Sequence, residues 1–186
     1  MKKFEPFLIL LLLVVACGAG EPLSLERLQE IIAAEHDEKA LVEGLRIYPK
    51  ARAYNITITN RTPDGQSFTG RATATEKWID GRFIVSEAQP GGEETKFAIV
   101  VEYDADEKLY RKYVVMGGKV SGYQVGTRIE GARSVSWIDL SPMKFEPGMD
   151  NLTTETHTDK QTTWRSMFFQ GGELQRVETG IATVAE

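Results

Sequence analysis

The sequence predicts a mainly β protein, built as an antiparallel up-and-down meander of about ten strands with one N-terminal helix. Two observations predict this class. The spacing of the apolar residues changes from helical to alternating at Pro49. Nine turn signals then recur 11 to 17 residues apart, with no helical segment between them. So many strands close into a barrel or curl into a half-barrel, because a flat open sheet leaves exposed edges.

The composition is that of one globular domain, which we expect to occupy residues 24–186. The 186 residues are 41% hydrophobic and 26% charged, and the net charge is −5. An acidic balance argues against a nucleic-acid partner, whose phosphates require clustered Lys and Arg. One Cys and two His exclude an intramolecular disulfide and a three-histidine zinc site. We therefore predict no metal and no cofactor.

The N-terminus predicts a signal peptide over residues 1–16. Lys2 and Lys3 precede a ten-residue apolar run at 7–16. A membrane-spanning helix needs about 20 apolar residues, so this run is too short to span a bilayer.

The residues that end this run resemble the lipobox of bacterial lipoproteins. Val14, Val15 and Ala16 precede Cys17, the one Cys of the chain. The resemblance implies that Cys17 carries the lipid, that residues 17–23 are a tether, and that the protein is attached to a membrane of the bacterial cell envelope. In that family Gly18 favours the outer membrane. The alternative is a plain secretory signal cut after residue 18 or 19.

The first element of the folded domain is predicted to be a helix over 24–46. Ser24 is a suitable N-cap, and Pro49 ends any helical pattern. The apolar stripe of this helix consists of Leu25, Leu28, Ile31 and Ile32.

The strands are predicted to occupy residues 50–184. Tyr54, Ile56 and Ile58 show the alternation, and later segments repeat it. The longest interruption, 141–151, is predicted to be a mobile loop or lid. The turn signals, measured at one residue in each, are at Asp64, Asp80, Gly91, Asp104, Gly117, Gly131, Gly148, Asp159 and Gly171.

The middle of the chain resembles an uncharacterised family of bacterial domains of unknown function with lipocalin-like barrels. The residues that carry the resemblance are 75–84, 101–104, 108–113 and a glycine-rich strand through Gly122 and Gly126. The resemblance implies a lipocalin-like barrel fold and no established reaction.

His157 is the residue that best fits a catalytic role. A strand would place Glu155, His157 and Asp159 on one face. His157 would then be a base oriented by a carboxylate at the barrel mouth, or an axial haem ligand. The interpretation we favour is a polar strand that faces solvent, because the segment has almost no apolar residue to bury it. We therefore predict no catalytic residue.

The aromatic residues are spread over nearly every strand, and some of them are candidates to line a ligand cavity. An inward-facing Arg would pair with an acidic ligand, whereas an outward one is solvated, and the sequence leaves both open. The strand at 162–170 is apolar on both faces, so either the helix covers one face or the interior is partly empty. The candidate lining residues are Tyr103, Arg111, Tyr113, Trp164, Arg165 and Phe168.

Together these observations predict a non-enzymatic, lipid-anchored envelope protein that binds or carries a small apolar or amphipathic molecule. Three alternatives stay open: a structural or assembly lipoprotein with a filled barrel, a lipoprotein carrier with a half-barrel, and an enzyme that uses His157.

Overall fold

The computed structural model describes residues 21–37, 39–50, 52–91, 96–140, 144, 146 and 148–185. These residues form one α-helix, α1 (Leu25–Ala33), a short 3-10 helix (Glu43–Ile47) and ten strands. No helix within these ranges is long and apolar enough to cross a membrane. The strands are β1 (Ala53–Arg61), β2 (Ser67–Ile79), β3 (Phe83–Pro90), β4 (Phe97–Asp104), β5 (Leu109–Met116), β6 (Lys119–Arg128), β7 (Ser134–Asp139), β8 (Asp150–His157), β9 (Gln161–Gln170) and β10 (Glu173–Val184).

The strands form a closed antiparallel barrel. Each strand pairs with its neighbours in the chain, and β10 pairs with β1 to close the sheet, with Val184 opposite Tyr54. The predicted fold class is confirmed, and of the two predicted forms the chain adopts the closed barrel. The nine turn signals fall between strands. At the β2–β3 turn, Asp80 and Gly81 both have positive φ angles, of 54° and 66°.

One end of the barrel is closed by residues 41–48, which we call the plug. Leu45 and Ile47 of the plug are buried against the inward-facing Trp78 and Trp137. The hydroxyl of Tyr110 donates a hydrogen bond of 2.8 Å to the carbonyl of Gly44 inside this end. The opposite end, where the β1–β2, β5–β6 and β9–β10 turns lie, is called the open rim.

Helix α1 packs on the outside of the barrel. Leu28 and Ile31 are buried against the outward-facing side chains of β2 to β6, including Val85 and Val100. The helix therefore covers these strands and leaves the outer face of β9 uncovered. The side chain of Ser24 caps the helix by accepting a hydrogen bond from the amide of Arg27.

The helix is shorter than the predicted 24–46. It ends at Ala33, because the following backbone bonds to the barrel instead of to itself. The amide of Asp37 donates to the carbonyl of Trp78, and the amide of Val42 donates to that of Gly81. These hydrogen bonds use backbone amides that a longer helix would need for its own hydrogen bonds between residues i and i−4.

Several predicted features lie outside the described residues. Cys17 and the predicted signal peptide are among them, as is most of the tether. The predicted loop at 141–151 is described only in part, at positions 144, 146 and 148–151.

Candidate binding chamber of the barrel

The interior of the barrel differs between its two halves. Near the plug, six large inward-facing side chains are at most 5% exposed. These are Trp78, Ile84, Val101, Tyr110, Val135 and Trp137. Towards the open rim, five inward-facing apolar side chains are only half-buried, although Val114 and Phe168 on the same inner face are buried. We call the space lined by the half-buried side chains the chamber, and these side chains are Ile56, Ile58, Phe97, Ile99 and Trp164.

Small residues line the wall of the chamber beside β1. On β2, β3 and β10 six of the inward positions carry glycine or alanine, and these positions contribute little volume to the interior. The residues are Gly70, Ala72, Ala74, Ala88, Gly180 and Ala182. The indole of Trp164 lies on Gly180, and its Nε1 donates a hydrogen bond of 2.9 Å to Oε1 of Glu178.

Glu76 lies below these small residues and faces inward on β2. It is 8% exposed. The hydroxyl of Tyr54 donates to its Oε1 at 3.3 Å, and the hydroxyl of Ser86 donates to its Oε2 at 3.2 Å. Burial raises the pKa of Glu76 to about 8, although both hydroxyls oppose the shift. At neutral pH this group is therefore a carboxylic acid, able both to donate and to accept a hydrogen bond.

A polar network occupies the other side of the chamber, on β6 to β9. The amide nitrogen of Gln124 donates to Oδ1 of Asp139 at 2.8 Å and to Oδ1 of Asn151 at 3.1 Å. The hydroxyl of Thr153 donates to the same Oδ1 of Asn151 at 2.7 Å and contacts the hydroxyl of Ser166 at 2.7 Å. The network links four strands and holds their polar side chains in fixed positions.

The deepest polar pair is Lys112 with Glu155, an ion pair across the barrel from β5 to β8. The ammonium of Lys112 also lies 4.0 Å from the centre of the Trp137 ring. Burial opposes ionisation of Glu155, but Lys112 together with His157 and Trp137 outweighs burial and holds the pKa of the carboxyl below its ordinary value. The carboxyl of Glu155 therefore remains ionised beside Lys112.

His157 is buried, so the favoured interpretation of a solvent-facing residue is wrong for this side chain. Its ring lies 4.2 Å from that of Tyr48 in the plug, and its Nδ1 lies 2.9 Å from the hydroxyl of Thr162. Burial lowers its pKa to about 4, so the ring is neutral. Its Nε2 lies 4.0 Å from Oε2 of Glu155. The pair of ring and carboxylate is thus at the closed end and not at the barrel mouth.

The structure places three of the six candidate lining residues inside the barrel and three outside. Trp164 and Phe168 face inward in the open half, and Phe168 packs 4.0 Å below the guanidinium of Arg176. Tyr103 faces inward near the plug, where its ring fills the space left by Gly44. Their contact with a ligand stays a prediction.

Arg111, Tyr113 and Arg165 are on the outer wall. Arg111 is 7% exposed, yet its partners are the outer carboxylates of Asp104 at 2.9 Å and Glu107 at 2.6 Å. The hydroxyl of Tyr113 accepts a hydrogen bond from the amide of Leu23, beside α1. The inward-facing Arg that an acidic ligand would need is therefore supplied by none of these three residues.

Sequence reasoning missed Glu76, Lys112 and Tyr48. For Glu76 a signal was present, because it alternates with Ala74 and Trp78 on an otherwise apolar face. Lys112 similarly stands between Tyr110 and Val114. Tyr48 gave no signal, because it precedes the first strand.

Two grooves lie outside the chamber. One of about 460 Å³ is at the closed end, between the plug and Arg133. The other, of about 530 Å³, crosses β1 to β3 at residues 55–57, 71–73 and 89–91. The side chains of Asn55 and Arg71 point outward, so this second groove is on the outer wall.

The chain resembles solved structures in fold alone. It is similar to Rv2717c from M. tuberculosis, with a TM-score of 0.55 and 9% identity, over 78% of this chain and 99% of that one. It is also similar to a protein of unknown function from the DUF3598 family of Nostoc punctiforme, with a TM-score of 0.52 and 8% identity, over 79% of this chain. The match spans about half of the Nostoc protein, 51% of its length. No protein-family model and no curated protein matches the chain.

Proposed function

We propose that the barrel binds a small amphipathic molecule in the chamber. The observation that carries this proposal is the change in burial along the interior. Six large inward-facing side chains near the plug are buried, whereas five towards the open rim, among them Ile58 and Phe97, are half-buried; Val114 and Phe168 are the buried exceptions on that side. A filled barrel would bury both sets equally, whereas a binding site needs an accessible apolar wall with a few fixed polar groups.

The apolar part of the ligand would contact Ile56, Ile58, Phe97, Ile99 and Trp164. The small residues beside β1 leave room opposite the indole of Trp164, and that indole is held in place by Glu178. An oriented aromatic ring loses little entropy when a ligand packs on it.

The polar part of the ligand would reach Glu76, and we propose that it is uncharged. Among the described residues that face the interior, the cations Lys112 and Arg176 are already paired with Glu155 and Glu146. A ligand carboxylate would therefore find no free positive charge in these two residues. A protonated Glu76 instead suits a hydroxyl or amide group, with which it can exchange hydrogen bonds.

Titration with the uncharged fluorescent probe N-phenyl-1-naphthylamine tests this proposal. We expect saturable binding with a micromolar Kd, about −8 kcal/mol, and energy transfer from tryptophan. Dodecanol should displace the probe at lower concentration than dodecanoate. Absence of saturable binding would falsify the proposal, and stronger displacement by dodecanoate would overturn the uncharged polar group.

The neighbouring positions 72 and 73 provide a matched pair of variants. Ala72 faces inward and Thr73 outward on the same strand. Ala72→Phe should fill the chamber and weaken probe binding at least about tenfold, about 1.4 kcal/mol. Thr73→Phe introduces the same side chain on the outer wall and should leave the Kd unchanged. Equal effects of the two substitutions would place the probe elsewhere.

We also propose that the chain is attached to the bacterial cell envelope, at the outer membrane, through acyl chains on Cys17. The support is the position of this one Cys directly after the apolar run and Ala16. Several acyl chains on one residue make a durable anchor, since each buried methylene contributes about 0.8 kcal/mol. In this setting the chamber would carry its ligand at a membrane.

A further inference from the structure

The open rim carries three large apolar side chains that no other part of the described chain covers. Phe68 is 62% exposed at the start of β2, and Met116 and Leu174 are each 41% exposed. Met116 ends β5, and Leu174 is near the start of β10. Single exposed apolar residues are ordinary on a protein surface. Three on separate turns around one opening indicate a common contact surface.

The rest of the described surface is different. Its other large apolar residues above one-third exposure are Ile129, at the closed end, and Ile181, on the outer wall of β10. These two are in different parts of the fold, since Ile129 lies in the turn between β6 and β7 and Ile181 lies within β10. The concentration at the open rim is therefore a property of that end of the barrel.

The direction of α1 places its N-terminal end on the side of the same rim. Leu23 bonds to Tyr113 near the middle of β5, and the chain then runs down α1 for about 14 Å. After the helix it reaches Trp78, whose amide donates to Nδ1 of His36 close to the plug. The helix therefore descends towards the closed end, and Leu23 lies at the end of α1 that is nearer the open rim.

We infer that the open rim docks on a lipid bilayer, with Phe68, Met116 and Leu174 inserted at the boundary between headgroups and acyl chains. Apolar side chains on an interfacial surface reach about 5–10 Å into this boundary. Cys17, to which the proposed function gives acyl chains, lies only six residues before Leu23 in the sequence, so an anchor there would hold this end of α1 near a bilayer. The occupant is therefore a bilayer, and this choice of occupant rests on the anchor proposed at Cys17.

The consequence is that the chamber opens directly onto the membrane. A ligand could pass between the bilayer and Ile58 or Phe97 without crossing water. This inference goes beyond the proposed function, because the rim can dock even if the chamber binds nothing.

Site-directed fluorescence on the full chain tests the docking surface. In a Cys17→Ser background, a single Cys replaces Phe68, Met116, Leu174 or Ile129 and carries an environment-sensitive fluorophore. Ile129 is the matched control, because it is 40% exposed but lies at the closed end. Each labelled protein is bound to phosphatidylcholine vesicles with or without brominated acyl chains, and circular dichroism checks the fold.

We expect the labels at 68, 116 and 174 to shift to shorter wavelengths and to be quenched by brominated lipid several-fold more than the label at 129. Equal quenching at all four sites would overturn the inference, since the N-terminal run alone would then hold the chain on the vesicle. A blue shift without vesicles that grows with protein concentration would also overturn it, because the rim would then contact a second copy. The three positions are on separate turns, so a label that disturbs one leaves two independent measurements.

Discussion

The indole of Trp164 on β9 lies so close to the backbone of Gly180 on β10 that a Cβ at position 180 would stand 2.0 Å from the ring. Glycine is therefore required there by space and not by backbone conformation. The ring is also fixed by the hydrogen bond from its Nε1 to Glu178. Together the two contacts hold the largest side chain of the chamber flat against its wall.

Gly180→Ala should destabilise the protein by about 1–3 kcal/mol and change the fluorescence of Trp164, because the indole must leave its position. Gly70→Ala is the control, since a Cβ at this inward-facing position meets nothing within 4 Å. Urea denaturation measures the stability of both variants. Equal stability losses would show that the Trp164 contact is not the cause.

Lys112→Met should destabilise the protein by about 3–5 kcal/mol, because Glu155 would remain buried without its counter-charge. Adding Glu155→Leu should recover much of the loss, since the pair is then replaced by apolar side chains. Chemical denaturation of both single variants and the double variant completes the cycle. Additive losses would argue against a direct interaction.

Glu76→Gln should change the pH dependence of stability. In the folded protein Glu76 has a pKa of about 8, raised from 4.5 by burial. Its contribution is thus fully present below pH 4.5 and is lost as the pH rises towards 8, because only the unfolded chain is ionised in that range. The wild type should lose up to about 1.4 kcal/mol per pH unit relative to the variant.

The range from pH 6.5 to 8 isolates this effect. His157 has its folded pKa lowered from 6.5 to about 4, so its contribution is complete above pH 6.5 and is lost on acidification towards pH 4. Parallel stability curves for wild type and Glu76→Gln between pH 6.5 and 8 would contradict the raised pKa.

Cys17→Ser should prevent maturation to a lipidated form in a bacterial host. The wild type should partition with membranes, and mass spectrometry of its N-terminal peptide should show acyl chains on Cys17. An unmodified Cys17 on protein isolated from that host would refute the anchor.

The sequence predicted the barrel well because its signals are local. Turn residues such as Asp80 and Gly81 act through their own backbone angles. The alternation of apolar and polar residues around Tyr54, Ile56 and Ile58 indicates a single strand with one face towards the core. These signals were sufficient for the strand count and for the antiparallel order.

The chamber was harder to predict because its contacts join distant segments. The side chains of β5 are buried on both faces of the strand. The inner face is buried in the barrel, and the outer face is buried under α1 or among carboxylates. The alternation of apolar and polar residues therefore does not show which way Arg111 points. His157 is buried by Tyr48, more than a hundred residues away. Only the closed sheet brings such residues together.

The pairing of Tyr54 with Val184 also governs when this protein can fold. The partners are about 130 residues apart, so this pairing must wait until β10 has been made, and closing so long a loop costs entropy. A chain still being synthesised or exported has β1 without β10, and its free edge is open to pairing with other chains. If the chain were exported unfolded, β1 would not form an exposed strand edge before β10 is available to pair with it. The time at which the barrel closes would then depend on β10.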